Sequence, residues 1–414
     1  MHPAPFTIAD VGDILGIRHL DGGNENAFNV ECPFCGDKRG KCNFAVIRKG
    51  TISNVYQCFN CGAQGNMLTL YADLMGIWGS DRYKEAYRQI QSKLQYGQQE
   101  INARQEMLNQ RAKMQKESYM ETADCLKRDE VYRALIHMLH LSEHHRNDLR
   151  RRGQTEEEIR HMEMLGYVST ESDNSVAIAR RLIKQGFDLE GIPGFFINYN
   201  GDWEISFYKK NEGYLCPVWS EDGLLVAFQI RLDKPYKKRK YIWLTSSNLQ
   251  KGCSSGSPVS ISGDSYAACI YVTEGILKAE ITHQRSGRTY LGNPGVANHR
   301  ELWQVLRKLK KRGLKEVIEC YDMEKLLDLK CREDYDGACQ ECEQKGAIEC
   351  PRKRIKRDNI RKGCIKLYRM CEELSIPCRR MCWDYENGIW LENYKGCDDW
   401  ELRGQISDTV EAAA

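Results

Sequence analysis

Four cysteines near the N-terminus are spaced as two pairs, Cys32-Pro33-Phe34-Cys35 and Cys58-Phe59-Asn60-Cys61. The short gap lets both thiolates of a pair turn inward on one knuckle, and two knuckles complete a closed tetrahedral site for Zn²⁺. Gly62 and Gly65 suit the tight backbone around the second knuckle. A closed site is a folding staple, so any catalysis has to come from other residues. Three acids are candidates. Glu274 follows the apolar run Cys269-Ile270-Tyr271-Val272, and Asp322 and Glu324 follow Val317-Ile318-Glu319-Cys320-Tyr321. Carboxylates at neighbouring strand tips would converge in one crevice, where they cannot all stay ionised without a cation. Hard oxygen ligands suit Mg²⁺ or Mn²⁺, and a metal–carboxylate crevice can be nearly the whole catalyst for phosphoryl transfer. For any one of these acids a solvated rim is the ordinary alternative; three at matched positions favour the metal.

A second cysteine group, Cys331, Cys339, Cys342 and Cys350, is symmetric about the pair Cys339-Gln340-Glu341-Cys342. One knuckle with two outer ligands could close a second zinc site and order a hydrophilic loop. An iron–sulfur cluster and free thiols stay open beside zinc. Cys42 is a spare thiol near the first group, and Cys364, Cys371, Cys378 and Cys382 read as core residues.

Two runs are strongly basic with aromatics interleaved: RLDKPYKKRKY over 231–241 and RKRIKRDNIRKGCIKLYR over 352–369. Such runs are expected where a nucleic-acid backbone is held, the alternative being a solvated face. In the first run Arg231, Lys237, Lys238, Arg239, Lys240 and Tyr241 are the candidate contacts. The formal net charge of the 414 residues is only +3, so the basicity is local. Nineteen cysteines without a signal peptide point to a reducing, cytoplasmic setting. No run is apolar enough to cross a membrane. No G-x-x-x-x-G-K-[ST] is present, which excludes a P-loop motor.

The elements that must position these residues are legible in outline. Residues 1–96 form a first module, with a short helix over 8–17, strands around 43–47 and 53–56, and helices over 67–75 and 83–94. Residues 97–128 are polar and read as a solvated helical linker. Residues 129–255 begin with helices over 131–141, 156–164 and 175–186. Strands follow over 214–219, 224–231 and 241–244, the first two joined by the turn Ser220-Glu221-Asp222-Gly223. Residues 256–414 alternate strand and helix, which predicts an open α/β sheet with ligands beyond the carboxyl ends of its strands. The fold class is therefore α/β (α+β): a zinc ribbon, a helical linker, a mixed basic subdomain and an open sheet.

Val272-Thr273-Glu274-Gly275-Ile276-Leu277-Lys278-Ala279 resembles the V-E-G segment of the TOPRIM fold. Tyr321-Asp322-Met323-Glu324 resembles its D-x-D segment, with Glu in the second place, and Gly292-Asn293-Pro294-Gly295 occupies the intervening turn. The cysteine module with Gly62-Ala63-Gln64-Gly65-Asn66 resembles the zinc-binding domain of bacterial DnaG-type primases. So do Leu149-Arg150-Arg151-Arg152-Gly153, Met164-Leu165-Gly166-Tyr167, the paired strands at 213–219 and 223–231, and Lys240-Tyr241-Ile242-Trp243. The resemblance covers most of residues 8–330, and Lys395-Gly396-Cys397-Asp398-Asp399 looks like the family's late acidic motif. It is closest to primases of conjugative and other mobile elements. It implies a DNA-directed RNA polymerase, a nucleotidyltransferase making short RNA primers on single-stranded DNA from ribonucleoside triphosphates by a two-metal route. A replicative helicase is an open partner. Glu274 and Asp322 would be the central acids, and Glu324 and Asp398 supporting ligands of Mg²⁺ or Mn²⁺. Arg231, Lys240 and Tyr241 would hold phosphates. The zinc module would read template, with Phe34, Phe44, Tyr56 and Phe59 as stacking candidates, although core packing is preferred for Phe44 and Tyr56. The alternative is a TOPRIM DNA-binding or nuclease protein without primer synthesis. Three departures from the family pattern stand out: Cys35 where His is common, Glu324 in place of Asp, and an insertion at 331–364.

Overall fold

The computed structural model describes all residues except 1–5, 49, 96–97, 119, 237–238, 248, 334, 336, 403–408 and 413–414. It divides into two compact units, Met1–Glu121 with Ser247–Gly252, and Thr122–Ser246 with Cys253–Ala414.

The first unit opens with α1 (Ile8–Ile14), started by a capping box in which the Thr7 hydroxyl accepts from the Asp10 N–H and the Asp10 carboxylate from the Thr7 N–H. An antiparallel meander follows in chain order: β1 (His19–Asn24), β2 (Ala27–Val30), β3 (Cys42–Arg48), β4 (Thr51–Cys58) and β5 (Gln64–Asn66). The Asn66 side chain accepts from the N–H groups of Leu68 and Thr69 and so starts α2 (Met67–Leu74). Next come α3 (Arg82–Leu94) and α4 (Gln98–Ser118). Phe44, Tyr56, Leu70, Tyr71 and Ile90 form the core. The segment expected as a solvated linker contributes α4, which lays Leu108 and Ala112 into that core. Its Arg104 pairs with Asp10, and the Arg111 guanidinium donates to the Asn26 side chain. Residues four apart on a helix share a face, so two apolar positions suffice to dock an otherwise polar helix.

The second unit begins with α5 (Cys125–Ile136), α6 (Glu143–Arg151), α7 (Glu156–Leu165) and α8 (Ser175–Lys184), then the hairpin of β6 (Phe195–Ile197) and β7 (Trp203–Ile205). A three-stranded antiparallel sheet follows: β8 (Gly213–Trp219), β9 (Leu225–Tyr236) and β10 (Arg239–Trp243), with β9 in the middle. The expected turn joins β8 to β9, its Ser220 N–H donating to the Leu224 carbonyl at 2.8 Å.

The remaining elements are β11 (Ser260–Ser262), β12 (Cys269–Glu274), α9 (Ile276–Ser286), β13 (Tyr290–Asn293), α10 (His299–Lys311), β14 (Glu316–Glu319), α11 (Pro351–Glu373), β15 (Cys378–Cys382), β16 (Tyr385–Glu386), β17 (Ile389–Trp390), α12 (Cys397–Glu401) and β18 (Thr409–Ala412). Six of these strands form one sheet in the order β11-β13-β12-β14-β15-β18. The four central strands are parallel, and β11 and β18 pair antiparallel at the two edges. Parallel neighbours require crossovers, here supplied by α9, α10 and α11. Segment 331–364 divides at Pro351, which opens α11 as Pro suits a first helical turn. Cys364 and Cys371 are buried on that helix, and Cys382 is buried on β15. Among the described residues no helix is long and apolar enough to cross a membrane.

Candidate functional site

The first site is built by two turns of the meander. Gly36 N–H donates to Cys32 O at 2.8 Å and Gly62 N–H to Cys58 O at 2.9 Å, closing the two knuckles. The sulfur atoms of Cys32, Cys35, Cys58 and Cys61 all lie within 4.8 Å of one another. Cys32 and Cys61 are 3.8 Å apart, and Cys35 and Cys58 3.9 Å. Four sulfurs about 2.3 Å from a zinc ion would be about 3.8 Å apart. The donor set and its spacing therefore fit zinc. The Asn60 amide donates to the Cys35 sulfur at 3.4 Å, a partner a thiolate favours. Cys42 is opposite Cys58 in the β3–β4 register but is not part of the group. Phe44 and Tyr56 are core residues. Phe34 and Phe59 are exposed, one within each cysteine pair.

The second site lies at the carboxyl ends of the parallel strands. Glu274 ends β12 and is in register with Asn293, which ends β13. Gly275 follows at φ 100°, a left-handed backbone that suits glycine, and turns the chain into α9. Asp322 and Glu324 stand just beyond β14 and are both 5% exposed. Asp398 is in the first turn of α12.

Lysines stand among these acids. Lys278, in the first turn of α9, pairs with Asp322. Lys395 reaches Asp322 at 3.4 Å and Glu324 at 3.0 Å, and Lys356 of α11 reaches Glu324 at 2.7 Å. Burial opposes ionisation of Asp322, but Lys278 and Lys395 outweigh it and hold its carboxyl below the usual range. Burial, then the charge of Asp322, pushes Glu274 up. Burial also raises Asp398, against the pull of Lys278. Opposite shifts within one crevice mark groups that share one electrostatic environment.

No three of Glu274, Asp322, Glu324 and Asp398 come within 4.8 Å of one another. Direct coordination by all of them would need the lysines to move, whereas Mg²⁺ usually keeps several waters and binds through one or two carboxylates. Two buried oxygens speak for a cation. Asp398 Oδ1 and Asn293 Oδ1 have no hydrogen-bond partner among the described residues, and Asn293 is 0% exposed. Unpaired buried acceptors are costly, and hard oxygen acceptors are what Mg²⁺ or Mn²⁺ accepts.

The basic strands share a wall with this crevice. Tyr214, Cys216 and Val218 of β8 pack with Ile276, Leu277 and Ile281 of α9, with Tyr241 against the same cluster. Arg231 of β9 is in register with Tyr241 of β10, its guanidinium 5.3 Å from the ring centre. Burial pushes the Tyr241 phenol up to about 12, so it stays neutral at ordinary pH. Lys240 is exposed. Arg152 pairs with Asp148, which also accepts from the Tyr214 hydroxyl at 3.0 Å.

No family model matches the chain, and no curated protein matches it. Solved structures do. The chain is similar to the zinc-binding and RNA polymerase domains of Aquifex aeolicus primase, with 14% identity over 97% of this chain and 83% of that one, at TM-score 0.44. It is similar to the RNA polymerase domain of Mycobacterium tuberculosis primase DnaG, with 16% identity over 64% and 76% of the two chains, at TM-score 0.42. A DnaG primase catalytic domain bound to single-stranded DNA matches at 14% identity over 68% and 77%, with TM-score 0.39.

Not every expected site residue is brought in. Cys331, Cys339, Cys342 and Cys350 do not converge: among the described residues they form no group within 4.8 Å. The Cys350 N–H is tied to Leu329 O at 2.7 Å at the head of α11, while Cys339 and Cys342 close their own turn. Lys237 and Lys238 lie outside the described residues. Sequence reasoning passed over Lys278, Lys356, Lys395 and Asn293. Lys278 stands four residues after Glu274, and Lys395 three before Asp398. A lysine at such spacing reads as an ordinary helix or loop charge. His144, His145 and Asp233 form the other close group among the described residues. His145 hydrogen-bonds Ser169 at 2.7 Å and Asp233 at 2.8 Å, so both its ring nitrogens already have protein partners.

Proposed function

We propose that this chain is a primase, a nucleotidyltransferase that makes short RNA primers on single-stranded DNA. One observation carries the reading: the strand-end acids Glu274, Asp322 and Glu324, joined by Asp398, share a crevice one wall of which is packed against the basic strand pair. A hard-cation site beside a surface suited to phosphates is what this reading requires.

In this reading Glu274, Asp322, Glu324 and Asp398 hold Mg²⁺ or Mn²⁺. Bound there, such an ion would supply charge to polarise phosphoryl oxygens and to favour the alkoxide of an attacking hydroxyl. The chain's own residues do the rest. Asp322, kept ionised, is the anchor. Glu274 and Asp398, whose carboxyls burial pushes up, would be held in the charged form by a cation there. Lys395 and Lys356, each with a side chain 45% exposed, are free to leave the acids for triphosphate oxygens. Arg231 and Lys240 steer the template backbone, and the Tyr241 ring stays neutral as a stacking face. Zinc at Cys32, Cys35, Cys58 and Cys61 holds the first unit's knuckles, which present Phe34 and Phe59 to template bases.

A primer-synthesis assay tests this on single-stranded templates with each metal in turn. Template-dependent ribonucleotide incorporation is expected, reduced on the order of 10²-fold or more in Asp322→Asn. The competing reading is a DNA-binding or nuclease protein without synthesis. The ion pairs between lysines and acids favour it, because a non-catalytic crevice would keep them. DNA binding or cleavage with no product under any metal decides for that reading.

A further inference from the structure

The lysines in the crevice are not equivalent. The Lys395 and Lys356 side chains are each 45% exposed, and either can turn into water. Lys278 is different. It is fixed in the first turn of α9, its side chain is 18% exposed, and its ammonium lies against Asp322. A methyl group placed on Gly396 would collide with Asp398 Oδ1 and come within 2.9 Å of Lys278 Nζ, so this ammonium sits beside Asp398 as well. The turn that carries it is anchored by Ile276 and Leu277, which are buried in the core shared with the strand sheet. Moving it out would leave Asp322 and Asp398 without their nearest positive charge.

We propose that Lys278 is a built-in cation that takes one of the two positive places phosphoryl transfer uses, so that the crevice accepts a single divalent ion. This rests on the reading of the site as a nucleotidyl-transfer centre. With Lys395 and Lys356 displaced, four carboxylates face one fixed ammonium. One divalent ion brings that set close to neutral without reversing its sign, whereas a second would make it positive and would be forced against the ammonium. The orphan oxygens Asp398 Oδ1 and Asn293 Oδ1 are receptors for that one ion. An ammonium stabilises charge on phosphoryl oxygens but does not activate a hydroxyl, so Lys278 takes over the charge-neutralising place at the phosphates. No proton moves from it, and no bond forms to it.

The test counts ions as well as products. The full-length, zinc-loaded protein is titrated with Mn²⁺ and free Mn²⁺ is read by electron paramagnetic resonance. Asp322→Asn serves as the baseline for ions bound elsewhere. Wild type is expected to bind one Mn²⁺ above that baseline. Lys278→Asp should bind two. Lys278→Arg keeps the charge and should stay at one. Lys278→Met should bind at least one, yet incorporate ribonucleotides at least tenfold more slowly than wild type. Circular dichroism melting confirms that each variant folds, and Lys278→Arg gives the comparison if Lys278→Asp does not. Two Mn²⁺ in wild type overturn the proposal, as does an unchanged count in Lys278→Asp. A wild type that binds two ions and makes primers sinks this inference and leaves the primase reading. The expected counts without primer synthesis do the reverse.

Discussion

At the scale of single residues, the crevice is sensitive to atoms that are not themselves acids. Gly396 lets Lys278 and Asp398 approach over its bare Cα. The atom a methyl group there meets first is the carboxylate end of Asp398, which can shift, so Gly396→Ala should leave the melting temperature within a few degrees while, under the proposed function, lowering synthesis on the order of tenfold; steady-state rates beside a melting curve check this. Lys325 and Glu319 present the opposite case. Their side chains are 2% and 0% exposed and meet at 2.9 Å, with the Tyr368 hydroxyl also donating to Glu319 at 2.9 Å. Removing one partner strands a buried charge, so Lys325→Met should cost about 3–5 kcal/mol, read as a lower urea midpoint. The acids of the candidate site were legible because a β-rich apolar run that stops at a carboxylate sets that carboxylate at a strand's carboxyl end. The lysines between them were not. Their pairing depends on how β12, β14, α11 and the loop before α12 meet, and no local pattern encodes that. The second cysteine group, which forms no close cluster among the described residues, is a case of the same kind: symmetric spacing says nothing about where the chain between the cysteines goes.

At the scale of elements, α10 carries a pH-dependent feature. His299 opens the helix, and its Nδ1 is buried without a partner among the described residues. Burial, and secondarily Lys366 of α11, lower its pKa from 6.5 to about 4. The positive end of a helix dipole acts in the same direction. A folded pKa below the unfolded one gives stability that is complete above about pH 6.5 and lost as pH falls toward 4. Because the residue is partly solvated, that loss should be no more than about 2 kcal/mol. Urea midpoints at pH 7 and pH 4.5, compared with those of His299→Gln, measure it; the variant should show the smaller fall. Strands and helices of the second unit were legible to within a few residues where period and turn chemistry agreed, as in β8 and its turn, whereas β9 runs past its expected end at Arg231 to Tyr236. The docking of α4 was not, because Leu108 and Ala112 are only two positions in a long polar helix.

At the scale of the molecule, the two units depend on different terms. The first is a thin meander whose knuckles converge on four thiols, and metal binding in such modules is folding free energy. The second has several hydrophobic clusters of its own. Chelation of zinc should therefore unfold residues 6–95 while the second unit keeps its protection. Hydrogen exchange with and without chelator distinguishes this from uniform loss of protection, and the transition should not be two-state. The zinc knuckles at the head of the chain were legible from spacing. How the basic strands reach the acids was not, because that contact is made by apolar residues of α9 that carry no motif.

That contact has a mechanical side. One face of α9 bears Lys278, and another bears Ile276, Leu277 and Ile281 against Tyr214, Cys216 and Val218. Close-packed interiors yield little and pass displacement on. A load on the strand sheet would be passed to the turn that holds the ammonium against Asp322. Strain in the strand sheet and the shape of the charge cluster are then coupled, so that under the proposed function a misplaced template would be felt among the acids as a change in fit.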